Sequence, residues 1–221
     1  MAIRATNVTL TLGSDAAPVE ILRGVDLSVP YGESIALLGP SGSGKSSLMA
    51  VLAGLERAND GEVQVDGLDF TAMDEDALAG ARRGRIGIVL QAFHLLPTMT
   101  ALENVAVPIE LAGKEDCFSQ AEAELTAVGL GHRTGHYPSQ LSGGEQQRVA
   151  IARAMAAQPK IIFADEPTGN LDGATGHAII DLLFDRREAM DATLMIITHD
   201  PELAERCDRV IRMEDGRVVA G

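Results

Sequence analysis

No apolar run in this 221-residue sequence approaches the ~18 residues that a membrane-crossing helix requires. The apolar stretches, such as Ser34–Leu38 and Lys160–Ala164, are strand-sized. Met1–Asn7 lacks the apolar core of a signal peptide, so the expectation is a cytoplasmic chain. Basic residues are scarce: 18 Lys and Arg face 32 Asp and Glu, a formal net charge of −14. That speaks against a sequence-independent nucleic-acid binder, which displaces counterions with basic surface. A phosphate ligand stays open, because backbone N–H groups hold one without net positive charge. The two cysteines, Cys117 and Cys207, form no CxxC pattern, and reduced thiols are expected. His132 and His136 stand four apart, but Gly129, Gly131 and Gly135 oppose a firm helix there, so a zinc site is not expected. Internal repeats and low-complexity linkers are missing, and no aromatic residue precedes Tyr31.

Hydrophobic residues make up 46% and charged residues 23%, ordinary for a globular protein. The length suits one core, or one core with a grafted subdomain. The first residues predict short β segments at Ile3–Leu12, Val19–Leu22, Val25–Val29 and Ser34–Leu38, punctuated by Gly13, Gly24 and Pro30–Gly32. A helix at Lys45–Leu55, a strand at Gly61–Asp66, a helix at Asp74–Arg83 and a strand at Ile86–Leu90 follow. Residues 92–157 change character, with helices predicted at Ala101–Leu111, Ser119–Val128 and Gly143–Ala157. Strand–helix alternation then returns through Ile161–Ala164, Ala174–Met190, Thr193–Thr198, Pro201–Arg206 and Val210–Met213 to Arg217–Val219. Apolar strands alternating with helices predict a mostly parallel sheet covered on both faces. The expected fold is α/β, with an antiparallel β subdomain at the N-terminus. The single domain 1–221 divides into a core of residues 1–91 and 158–221 and an inserted helical subdomain over about 92–157.

Gly39–Ser46 reads GPSGSGKS, the pattern G-x-x-x-x-G-K-[ST], between a predicted strand and a predicted helix. Gly39, Gly42 and Gly44 let the backbone curl around a phosphate, with Pro40, Ser41 and Ser43 completing the loop and Ser47 following it. The helix N-terminus adds partial positive charge. Lys45 reaches the β- and γ-phosphates in this reading, and Ser46 offers its hydroxyl to Mg²⁺. The motif marks a P-loop NTPase core. Ile161–Glu166 reads IIFADE, a strand that carries Asp165 to its C-terminal end, where ligands bind in open α/β sheets. Asp165 is the candidate to hold Mg²⁺ through a water, and Glu166 the candidate to polarise an attacking water. Taken alone, two acids at a strand end are also an ordinary solvated cap. Beside a P-loop they read as catalytic.

Leu141–Gln147 reads LSGGEQQ, followed by Arg148–Ala154 (RVAIARA). Here the sequence resembles the ABC (ATP-binding cassette) ATPases, whose signature is LSGGQ-like and shortly precedes the acidic strand. The P-loop, the signature, the ADE strand, Asn170–Leu171–Asp172 and His199 after Met195–Thr198 stand in that family's order, and the resemblance covers essentially the whole chain. Physically, Ser142 is a good N-cap, and Gly143 and Gly144 clear side chains from the helix start, which leaves N–H groups with no resident anion.

The resemblance implies an ATPase using ATP and Mg²⁺. It works as a head-to-tail homodimer, with Ser142, Gly143, Gly144 and Glu145 of one copy meeting ATP on the other copy's P-loop. It further implies that Gln91 contacts Mg²⁺ and the attacking water, that Asp172 crosses the dimer interface, and that His199 contacts the γ-phosphate. Taken singly, these three are a strand-end glutamine, a turn aspartate and a structural histidine.

Many family members stack an aromatic side chain on adenine near the end of the first strand. Here that place falls at Leu12, so an aliphatic contact is expected instead. Gln91–Pro97 (QAFHLLP), Thr100–Val105 (TALENV) and Ala164–Asp172 (ADEPTGNLD) resemble the exporter and mechanotransmission branch, which includes the macrolide-export, lipoprotein-release and FtsE types. With the missing aromatic and Met73–Asp76, they are most similar to the YbbA-like ATPases. That branch implies an integral membrane permease docking near Gln91–Thr100, with this chain peripheral on the inner face of the cell membrane. Leu95, Leu96 and Pro97 offer an apolar lining there. The alternative is a non-transport regulatory ATPase of cell-division type. A soluble two-cassette protein for translation or DNA repair fits less well, because the chain has one cassette and no sustained heptads.

Overall fold

The computed structural model describes residues 1–14 and 17–220. In chain order the strands and helices are β1 (Ile3–Ser14), β2 (Ala17–Val29), β3 (Ser34–Leu38), α1 (Lys45–Leu52), β4 (Asp60–Val65), β5 (Leu68–Asp69), α2 (Glu75–Arg82) and β6 (Ile86–Leu90). They continue with α3 (Ala101–Leu111), α4 (Cys117–Ala127), α5 (Gly143–Met155), β7 (Ile161–Asp165), α6 (Gly173–Ala189), β8 (Thr193–Ile197), α7 (Pro201–Ala204), β9 (Arg209–Glu214) and β10 (Arg217–Ala220). Two units share them: Met1–Arg82 with Thr193–Gly221, and Arg83–Ala192.

In the first unit, β2-β1-β4-β5 form an antiparallel sheet. Beside one another in a second layer lie β10, β9, β3 and β8, with β3 parallel to both β8 and β9. Every residue of β3 and β8 is buried. Past the polar first residues Ser34 and Thr193, SIALL and TLMII are continuously apolar, as the pattern of a parallel strand covered on both faces requires. In the second unit β6 and β7 pair in parallel, Ile86 opposite Ile161 and Leu90 opposite Asp165. Three helices, α3, α4 and α5, pack on a core of Val105, Ile109, Leu125, Val149 and Ala152. The α/β reading holds, with its antiparallel N-terminal sheet and its helices between β6 and β7.

Local sequence accounts for most element ends. Thr100 caps α3 reciprocally: its side chain accepts from the Glu103 N–H, and Glu103 accepts from the Thr100 N–H. The predicted split between Val19–Leu22 and Val25–Val29 is not there. Val8 pairs with Val25 and Thr9 with Arg23, so Gly24, at φ 77, is the extra residue of a bulge within one continuous strand. The helix predicted to run to Leu55 ends at Leu52, because Gly54 takes φ 69 two residues on and a Cβ there would meet the Phe70 ring at 3.0 Å. The short β5 and the single 3-10 turns at Gly131–Arg133 and Pro138–Gln140 were not predicted; they are too brief to show a hydrophobic period.

Candidate functional site

In the first unit, β3 delivers the chain to a loop whose glycines are required by close packing. A Cβ at Gly39 would lie 2.2 Å from the Met213 carbonyl oxygen, and one at Gly44 would lie 2.9 Å from that of Ile21. Gly42 is different: at φ 80 it faces open space, with nothing within 4 Å of a built Cβ. Its glycine serves the backbone turn alone. The Ser43 N–H closes that turn on the Pro40 carbonyl at 3.2 Å. Gly44 is the N-cap of α1 and brings no capping side chain, and the first turn of α1 holds no acid. Its leading N–H groups thus have no capping side chain to bond to. The Lys45 ammonium donates to the carbonyls of Gly39 at 2.9 Å and Pro40 at 2.8 Å, which holds it along the loop. Pro40, Ser41, Gly42 and Ser46 are exposed on the outer side, whereas Ser43 is only 3% exposed and lies beneath. His199 is exposed just beyond the buried β8. Leu12 stands in β1 opposite Val19, both largely exposed, so the predicted aliphatic position is open to a ligand.

In the second unit the register of β6 with β7 brings Gln91 and Glu166 out at the same strand end, each one residue past the paired Leu90 and Asp165. The Gln91 carbonyl accepts from the Asn170 side chain at 2.8 Å, and a Cβ on Gly169 would stand 2.5 Å from the Gln91 amide nitrogen. Glu166 adopts φ 44, the left-handed region, ahead of Pro167. Its carbonyl accepts from the Gly169 N–H at 3.0 Å. Asp172 caps α6 by accepting from the Thr175 N–H at 3.0 Å. That hydrogen bond holds its carboxyl below the usual aspartate range.

The signature begins α5 with a reciprocal cap. Ser142 accepts from the Glu145 N–H at 3.3 Å, and Glu145 accepts from the Ser142 N–H at 2.8 Å while pairing with Arg133 at 3.0 Å. The bond from the Ser142 N–H, followed by the smaller pull of Arg133, holds Glu145 below the usual glutamate range. One expectation is corrected here. The helix tip does carry an anion, since Glu145 supplies a carboxylate. The N–H groups of Gly143 and Gly144 remain without an acceptor among the described residues. The second glycine also has a packing reason: a Cβ on Gly144 would come within 2.7 Å of the Thr175 methyl on α6.

Several residues that shape this unit were not singled out from the sequence. Asn104, fully buried on α3, accepts from the Leu96 N–H at 2.7 Å and donates to the carbonyls of Leu96, Met99 and Thr100. It thereby moulds the 96–100 segment. Arg153 on α5 donates to the carbonyls of Phe93 at 2.8 Å and His94 at 2.6 Å, two consecutive residues at φ 58 and φ 46. Burial lowers the Arg153 pKa from the ordinary arginine value. Gln147, also on α5, donates to the Pro167 carbonyl at 2.6 Å. The readable signal was a polar residue on an apolar face: Gln147, Ala150, Ile151 and Ala154 follow i, i+3, i+4, i+7 and are all buried. Cys117 and Cys207 form no disulfide among the described residues. No helix among the described residues is long and apolar enough to cross a membrane.

The family model described as ABC transporter matches residues 22–169. The ABC transporter ATP-binding protein YbbA of Escherichia coli is 50% identical over 210 residues, 94% of this chain and 92% of that protein. The lipoprotein-releasing system ATP-binding protein LolD 2 of Caulobacter vibrioides is 48% identical over 207 residues, 93% of this chain and 91% of that one. Among solved structures, the dimeric post-hydrolysis state of the ATP-binding cassette MJ0796 bound to ADP and Pi superposes with a TM-score of 0.91 at 39% identity, covering 99% of this chain and 97% of that one. With its loop, signature helix and acidic strand in this order, the chain belongs to the ABC transporter ATP-binding family.

Proposed function

We propose that this chain binds and hydrolyses MgATP as one half of a head-to-tail homodimer, and that the cycle drives a conformational change in a membrane permease. The observation that carries the reading is the pair of unclaimed N–H groups at Gly143 and Gly144, on a helix start otherwise closed by its own serine and glutamate. A γ-phosphate held by the partner copy's P-loop supplies the acceptors they lack. In each copy the N–H groups after Gly44 and the Lys45 ammonium bind the β- and γ-phosphates, with Gly39–Ser47 as the cradle. Leu12 contacts the base.

Among the described residues no three His, Cys, Asp or Glu side chains converge as a metal centre, which fits an ion that takes much of its shell from phosphate and water. Ser46, Asp165 and Gln91 are the residues assigned to it. Mg²⁺ supplies charge neutralisation for the phosphoryl group in transfer. Glu166 accepts the proton of the attacking water, His199 orients on the γ-phosphate, and Asp172 reaches the partner copy.

The permease docks beside Gln91–Thr100 on the helix-rich part, residues 92–157, where Leu96 and Pro97 are exposed. This holds the chain at the inner face of the membrane. The likeness to a lipoprotein-releasing relative supports export or mechanotransmission as the work done.

The test is Glu166→Gln. It should keep MgATP binding, lower turnover by about 100-fold or more, and trap a dimer seen by light scattering during gel filtration. Wild-type turnover in that variant would remove the general base from the scheme.

A further inference from the structure

The signature helix contributes more than its tip. Gln147 has no exposed surface and sits in step with the apolar Ala150, Ile151 and Ala154. A side-chain amide in such a place is costly unless it is bonded. Its Nε2 donates to the Pro167 carbonyl at 2.6 Å, and its Oε1 has no partner among the described residues. Because a carbonyl only accepts, the NH2 end of the amide must face Pro167. Packing alone does not call for this residue, since a methionine fills similar volume and orphans no acceptor.

What the bond secures is the peptide that follows Glu166. At φ 44 Glu166 is a non-glycine residue in the left-handed region. It also precedes a proline, which drives its neighbour towards extended backbone. Such a conformation persists only when its surroundings over-determine it. Two hydrogen bonds flank it: Gln147 to the Pro167 carbonyl, and the Gly169 N–H to the Glu166 carbonyl at 3.0 Å.

We propose that Gln147 is a positioning residue for hydrolysis: by anchoring the Pro167 carbonyl it keeps Glu166 in its left-handed conformation and so aims the carboxylate at the attacking water. This rests on Glu166 being the general base.

The test uses the full chain with MgATP. Gln147→Met removes the donor and keeps the volume. It should lower kcat by about 10- to 100-fold while KM and nucleotide affinity stay within about threefold of wild type. Gln147→Glu restores a donor only when protonated, and burial raises its pKa. The ratio of its turnover to that of wild type should therefore rise as the pH is lowered from about 9 to about 6. A Gln147→Met kcat within about twofold of wild type, a parallel loss of kcat and affinity, or a flat Gln147→Glu ratio would each overturn the anchor. If Gln147→Met fails to fold by circular dichroism, the Gln147→Glu ratio decides alone. Glu166→Gln is assayed alongside. Normal turnover there sinks the general-base reading itself, whereas a silent Glu166→Gln beside a fully active Gln147→Met sinks only the anchor.

Discussion

The Asn170 side chain donates to the Gln91 carbonyl at 2.8 Å, across 79 positions of sequence, and so ties the end of β6 to the turn that leads into α6. Gly169 lies directly against the Gln91 amide, so the glutamine is held by both its main chain and its side chain. Asn170→Ala should release the main-chain half of this restraint. Turnover is expected to fall by about 3- to 10-fold with little change in MgATP affinity, a cost typical of a displaced catalytic partner. Steady-state kinetics beside equilibrium nucleotide titration read the two separately.

Ser142→Arg places a bulky side chain at the start of α5, where Ser142 is exposed and accepts the Glu145 N–H. Monomeric nucleotide binding should be spared, because the P-loop belongs to another part of the chain. Dimerisation in a Glu166→Gln background should be lost by light scattering. The same substitution removes an N-cap, worth about 1 kcal/mol of stability, so a small drop in denaturant midpoint should accompany it.

Leu12 is 41% exposed, and its cross-strand neighbour Val19 is 56% exposed. An aromatic ring at Leu12 has room to stack on a base. Leu12→Tyr should tighten ATP binding by about 1 kcal/mol, the excess associated with aromatic pairs, and leave kcat unchanged. An unaltered Kd by fluorescence titration would place the base elsewhere.

Acid should loosen the helix starts. Glu145 bonds the Ser142 N–H, Glu103 the Thr100 N–H and Asp172 the Thr175 N–H, and each carboxyl is held below its ordinary range by that bond. Since the folded pKa values are depressed, the stability they lend is present above the ordinary carboxyl range. It is lost as the pH falls through the folded values. The difference in urea midpoint between wild type and Glu145→Gln should therefore shrink as the pH is lowered from about 7 to about 3.

Much of this was open to reading from the residues. The P-loop and signature are contiguous strings whose backbone demands, glycines at close contacts and a serine cap, are local. So α5 was expected from Gly143 and begins there, and α3 matches residue for residue at Ala101–Leu111. The strand run through Gly24 was missed because a bulge is decided by the partner strand: only the pairing with Val8 and Thr9 shows that one residue is surplus. Long-range polar contacts were hidden for the same reason. Nothing near Arg153 in sequence announces that it bonds the carbonyls of Phe93 and His94, some 60 positions away. Gln147 was visible only as a polar misfit on an apolar face, a signal that says a partner exists without saying where.

The way α5 is closed at its start has a wider implication. Serine and glutamate cap one another, and the main-chain N–H groups at Gly143 and Gly144 are left to face outward beside the exposed Ser142. Recognition built on peptide N–H groups reads charge and shape but not the identity of a base. Such a surface should respond to whether a terminal phosphate has arrived and be nearly indifferent to which nucleoside brought it.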